Sequence, residues 1–167
     1  MNVSGTARLD APRELVFRAI CDPRVLMEII PGCDAIEQVS PTEYRGVITL
    51  RLPGAVGTYR TDVRLVDAVA PERSGMEGRL EGSMGSIAGR ADFVLGDAPG
   101  SASGTVIDYT GSGVIQGPLA RLDSRFAERL AESLISQGLR ALNLRLAREA
   151  TQSPSPGGLR PTTEVSE

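Results

Sequence analysis

The 167-residue chain has no histidine, no tryptophan and, read residue by residue, no lysine, so every cationic side chain is an arginine. These absences exclude chemistries outright. There is no Ser-His or Cys-His nucleophile pair, no Schiff-base or phosphate-loop lysine and no histidine-rich metal site. An enzyme built from this chain would have to work with carboxylates, tyrosine, arginine, cysteine or bound water. Thiols are equally scarce. Cys21 and Cys33 stand outside any CxxC or zinc spacing and read as buried structural thiols, with the redox compartment left open. Long apolar runs are missing too: none approaches the roughly 18 residues of a membrane-spanning helix, and the N-terminus lacks a signal peptide's apolar region. The expected location is therefore cytoplasmic, with peripheral contact at the inner face of the membrane left open. A net charge of −3 and a pI of 5.1 speak against nucleic acid as a partner, because no broad basic face is available to neutralise phosphates.

What the chain does have is period. Asn2 to Asp10 alternate loosely and predict a first strand. Pro12, followed by Leu15, Val16, Ala19 and Ile20, predicts a short amphipathic helix. Asp22-Pro23 then opens a second short helix that Pro31-Gly32 stops, with Asp22 as cap and Pro23 at the first helical position. Its apolar residues Leu26, Ile29 and Ile30, with Pro31, must pack on a sheet or close something inside it.

From Ala35 to Ile115 the signal is almost entirely period two, as in Val47/Thr49/Arg51 against Ile48/Leu50/Leu52 and Tyr59/Thr61/Val63/Leu65 against Arg60/Asp62/Arg64. Turn residues at Pro41-Thr42, Pro53-Gly54, Pro71-Glu72, Met84-Gly85-Ser86 and Pro99-Gly100 divide it into six further antiparallel strands. Glycines recur inside these strands at positions 78, 82, 89, 111 and 113. Repeated glycine weakens a strand, so it points to bulges, sharp bending or an inner face kept free of side chains. From Pro118 to about Glu149 the pattern becomes one long helix with a stripe of Leu119, Leu122, Phe126, Leu130 and Leu134. The predicted fold is α+β, a strongly curved antiparallel sheet of about seven strands gripping that helix, with two short helices after the first strand. Residues 1–149 form one domain, and 150–167, rich in Ser, Pro, Gly and Thr, form a disordered polar tail.

A sheet too curved to lie flat on a helix leaves space between them. The candidate ligand-binding residues are Leu119, Leu122, Phe126 and Leu130 on the helix stripe, and Tyr59, Val63, Leu65, Leu80, Met84 and Phe93 opposite. Leu26, Ile29, Ile30 and Pro31 form a rim or gate, and the Tyr59 hydroxyl supplies a polar contact. Ordinary core packing explains the same stripe. Two glycine-rich stretches carry no nucleotide chemistry: Gly111-Ser112-Gly113 with Gly117 is misspaced and lacks a βαβ unit, and Gly82 to Ser86 reads as a hairpin turn. Arg140, Arg145 and Arg148 beside Leu139, Leu142 and Leu146 read as solvated charges at a helix C-terminus, against the alternative of a lipid-docking surface. Asp62, Asp67, Glu81, Asp92 and Asp108 are the candidate acids for an enzyme, yet alternation places them mainly outward.

Taken together, Ala11-Pro12-Arg13-Glu14 with Val16, Asp22-Pro23, Ile30-Pro31-Gly32-Cys33, Tyr44-Arg45-Gly46, the hairpin from Gly82 to Gly89, and Gly117-Pro118-Leu119-Ala120 before the helix resemble the CoxG family of carbon monoxide dehydrogenase subunits, within the START-like (SRPBCC) helix-grip superfamily. The resemblance spans residues 1 to 149. It implies a non-catalytic accessory protein with a hydrophobic cavity, serving a molybdenum-containing CO dehydrogenase-like oxidoreductase through assembly, membrane recruitment or handling of a lipophilic quinone. No resident cofactor or metal is implied, and oligomeric state is left open. Family members at membranes are expected to carry a longer C-terminal anchoring extension, which the short polar segment Thr151 to Glu167 does not resemble. A START-like cyclase or hydrolase acting on an apolar substrate, and an assembly factor with a filled core, are the alternatives.

Overall fold

The computed structural model describes residues 1–51, 53, 56–101 and 103–152. The expected alternation at Leu52, the Gly54 half of one turn and residues 153–167 of the expected tail lie outside the described residues. The element order is β1 (Asn2–Leu9), α1 (Arg13–Cys21), α2 (Pro23–Ile29), β2 (Cys33–Gln38), β3 (Glu43–Leu50), β4 (Gly57–Val69), β5 (Arg73–Gly82), β6 (Gly85–Asp97), β7 (Thr105–Gln116) and α3 (Ser124–Gln152). All seven strands form one antiparallel sheet in the order β1-β7-β6-β5-β4-β3-β2. Consecutive hairpins build β2 to β7, and β1 closes on the far side of β7.

The short helices form for the expected reasons. The Asp22 carboxylate accepts from the Arg24 backbone N–H at 2.9 Å, and Pro23 occupies the first turn of α2. Beyond Ile30 the chain reverses through Gly32, whose φ of +75° suits glycine, and the Gly32 carbonyl accepts from Thr49 N–H at 2.8 Å. That bond pins the α2–β2 turn to the end of β3.

The long helix departs from expectation at its start. Pro118–Arg121 is a separate 3-10 turn, Leu122 is extended, and α3 begins at Ser124. The cause is Asp123, whose carboxylate accepts from Arg125 N–H at 3.0 Å and Phe126 N–H at 3.2 Å and so opens a new helix. Leu119 and Leu122 therefore do not continue the stripe of α3. The face that α3 buries runs through Ala127, Leu142 and Leu146, with Ala131, Ile135 and Leu139 half-buried between them. It is rotated about one residue from the predicted stripe.

Two apolar clusters result. The larger joins Leu9, Val16, Ala19, Val25 and Ile29 to Phe93, Leu95 and Ile107 of the sheet and to Leu142 and Leu146 of α3. Phe17 and Phe93 meet there with ring centroids 6.1 Å apart. The smaller centres on Tyr59 and Leu119, with Leu50, Leu80, Met84, Ile87, Ile115 and Leu122 around them. Polar ties fix α3 along β1: Asn2 N–H donates to Glu128 at 3.0 Å near one end, and Asp10 N–H donates to Asn143 at 2.8 Å near the other. α3 packs on β1, α1 and α2, whereas the central strands have no comparable approach to it.

Candidate functional site

Between the two clusters lies a band of sheet with almost no side chains on its inner face. Cross-strand register sets Val63 opposite Gly78, Gly78 opposite Gly89 and Gly89 opposite Gly113, and Gly113 N–H donates to the Met1 carbonyl at 3.0 Å. Three glycines on adjacent strands thus form one row. The next row toward the larger cluster is Met76, Ala91, Gly111 and Val3, and the next toward the smaller one is Leu80, Ile87 and Ile115. Because α3 keeps its distance from these strands, an open hollow of about 280 Å³ remains, bordered on the helix side by Ala131 and Ile135. Its lining side chains are apolar. Arg90 and Ser112 border it only from positions whose side chains alternate outward, where the Arg90 guanidinium bonds Asp92 at 2.9 Å and Asp67 at 3.2 Å.

A second hollow of about 540 Å³ sits at the seam where α3 faces the α2–β2 turn and the end of β3. Ile30, Pro31, Leu50 and Leu134 line it together with Thr49, Arg51, Asp34 and Gln137. Its wall is mixed, unlike the inner cavity. Thr49 Oγ1 donates to the Asp34 carboxylate, and Cys33 approaches Met27 with 3.9 Å between sulfurs. Burial pushes the Cys33 thiol above its ordinary pKa, as it does that of Cys21. The seam is latched on one side by Glu28 of α2, which pairs with both Arg145 and Arg148 of α3. Hydrogen bonds from Arg145 and Arg148 hold the Glu28 carboxyl below the ordinary glutamate range. With Leu142 and Leu146 buried, these arginines clamp α2 rather than flank an apolar surface. At Gly138 an added Cβ would lie 3.4 Å from the Ile29 carbonyl oxygen, so α3 meets the end of α2 here at contact distance.

A larger hollow of about 750 Å³ lies on the outward side of the same band. Its walls include Arg45 with Asp62 (3.2 Å), Arg64 with Glu77 (2.8 Å) and Arg90, which pairs with Asp92 outside the wall, so these charges are already paired. Glu81 likewise pairs with Arg79, and Asp108 accepts from Thr6 at 2.5 Å on the outward face. None of the acids named from the sequence lines the inner cavity among the described residues.

Of the candidate binding residues, Val63 and Leu80 line the cavity, while Ile30 and Pro31 border the seam. Tyr59, fully buried at 0% exposure, and Leu119, at 2%, fill the smaller cluster with Met84 and Leu122. Phe93 and Ile29 belong to the larger cluster, with Leu26 packed against it. Leu65, Phe126 and Leu130 are half-buried outside both clusters and both hollows. Sequence reasoning missed Met1, Val3, Met76, Ile87, Ala91, Ala131 and Ile135. The in-strand glycines were the available signal, but only register reveals that three of them are neighbours.

The CoxG family model, which describes a subunit of carbon monoxide dehydrogenase, matches residues 5–147. The chain belongs to that family. No curated protein matches it. Among solved structures, a conserved protein from Geobacillus kaustophilus superposes with a TM-score of 0.84 at 23% identity, covering 89% of this chain and 97% of the other. A START superfamily protein from Mycobacterium smegmatis gives 0.66 at 14% identity, covering 89% and 98%. The protein XoxI from Bacillus cereus gives 0.62 at 12%, covering 89% and 97%. At these identities the likeness concerns the fold, which is START-like. Among the described residues of this CoxG-family chain, no helix is long and apolar enough to cross a membrane.

Proposed function

We propose that the protein is a non-catalytic accessory carrier that holds a small lipophilic molecule, a quinone, between the sheet and α3 on behalf of a CO dehydrogenase-like molybdenum oxidoreductase. The observation that carries this reading is the hollow of about 280 Å³ whose lining side chains are apolar, set between the two apolar clusters. Burial of apolar ligand surface at roughly 25 cal/mol per Å² supplies the affinity. Membership of the CoxG family supports the oxidoreductase as client, and the service rendered is assembly, membrane recruitment or electron-acceptor delivery.

The test is extraction and native mass spectrometry of protein purified without detergent. The expected result is a stoichiometric hydrophobic molecule released on denaturation, and rebinding of a short-chain quinone that raises the unfolding temperature. An empty protein that no quinone or other apolar compound stabilises contradicts the carrier and favours an assembly factor.

A further inference from the structure

The glycines of the band are not equivalent. A Cβ at Gly89 would lie 2.3 Å from the Ser112 carbonyl oxygen, and one at Gly113 would lie 3.3 Å from that of Ala88, so the bent sheet crowds both, Gly89 prohibitively. Gly78 is different. A Cβ there would meet only the Asp62 carbonyl oxygen and a Val63 methyl, each at the ordinary distance of 3.7 Å, and its backbone is not in the left-handed region. Glycine inside a strand weakens it, yet neither sterics nor dihedral angle accounts for glycine at the centre of β5. What its missing side chain does leave is floor space in the cavity.

We infer that Gly78 is a specificity-determining residue that keeps the floor bare for an unbranched or flat hydrocarbon segment, and that the ligand enters hydrocarbon end first. This rests on the carrier reading and deepens it. The hollow's lining side chains offer no hydrogen-bond partner, the strand amides beneath are engaged in the ladder, and the Met1 ammonium at the edge donates to the Gly113 carbonyl at 3.2 Å, so a carbonyl or hydroxyl set against the glycine row finds no side-chain partner. The seam hollow, with Thr49, Arg51, Asp34 and Gln137, has the donors and acceptors that a polar end needs. α3 borders both spaces from neighbouring positions, Ile135 inside and Leu134 at the seam. At roughly 30 Å³ per water-sized group, the inner space takes about nine carbon-sized groups. The ligand class is therefore an amphiphile with a polar, hydrogen-bonding head and a tail of about that length.

The experiment measures binding of n-alkan-1-ols from hexanol to tetradecanol, and of decane-1,10-diol, to wild type, Gly78→Ala and Gly78→Val by calorimetry. In wild type, affinity rises with chain length and levels off near nine or ten carbons, and the diol binds at least tenfold more weakly than decan-1-ol. Gly78→Val moves the plateau two to three carbons shorter, weakening decan-1-ol about tenfold or more while sparing hexanol. Gly78→Ala, whose Cβ meets no close contact, raises the unfolding temperature yet weakens the longer alcohols about threefold, which separates loss of space from loss of fold. If the alcohols bind wild type but the variants leave the chain-length profile unchanged, or the diol matches decan-1-ol, the inference is overturned and the carrier reading stands. If no alcohol binds wild type, the inference is overturned, and the carrier reading falls with it only if a short-chain quinone also fails to bind.

Discussion

The two ends of α3 do different work. From Gly138 onward the helix is packed to closure: Leu142 and Leu146 are at 1% and 3% exposure, Asn143 and Asp10 exchange hydrogen bonds, and Arg145 and Arg148 grip Glu28. One to two turns earlier, Ala131 and Ile135 face bare glycine across open space. Stability and vacancy are thus segregated along one helix, which allows a cavity that would weaken a fold lacking a second, closed core.

The largest effect that sharpens this contrast comes from truncating α3 in each region. Leu142→Ala is expected to cost about 2–5 kcal/mol, as full burial dictates, whereas Ile135→Ala, already facing a hollow, costs less than about 2 kcal/mol. Urea unfolding of both variants provides the comparison, and equal losses break it.

Next in size is a pair within the sheet. Gly89→Ala, driving a Cβ toward a backbone oxygen, is expected to destabilise by about 1–3 kcal/mol, while Gly78→Ala stabilises by about 0.5–1 kcal/mol. Thermal unfolding reads both signs, and destabilisation by both variants would show that Gly78 is required by the strand itself.

The fold is largely legible in the sequence, and the site only partly so. Alternation such as Tyr59/Thr61/Val63 against Arg60/Asp62/Arg64 marks inner and outer faces without any knowledge of pairing, because one face of the sheet is covered and the other is wet. The start of α3 is ambiguous in sequence because Pro118 is also a good opening residue, and only the carboxylate bonds of Asp123 show which signal governs. That break detaches Leu119 and Leu122 from the helix stripe and gives them, with Tyr59, to the smaller cluster. Gly78, Gly89 and Gly113 are far apart along the chain. Their adjacency is a property of strand register, which turns and bulges set over the whole meander.

The smallest expected effect concerns the latch. Glu28 has its carboxyl pKa lowered by hydrogen bonds from Arg145 and Arg148, so the pair contributes stability above the ordinary glutamate value of about 4.5 and loses it as pH falls through the lowered folded value. The pair is partly solvated, so Glu28→Gln costs no more than about 1 kcal/mol at neutral pH. The difference from wild type should shrink in acid and in high salt, as read by unfolding midpoints across pH. A difference that grows in acid contradicts the assignment.

The most direct test of an open band beside a closed core is methyl-resolved NMR during titration with decan-1-ol. The predicted result is a set of shifts at Met76, Ile87, Ala131 and Ile135, with Leu142 and Leu146 unmoved. Shifts centred on Leu142 and Leu146, or none at Ile135, would contradict it.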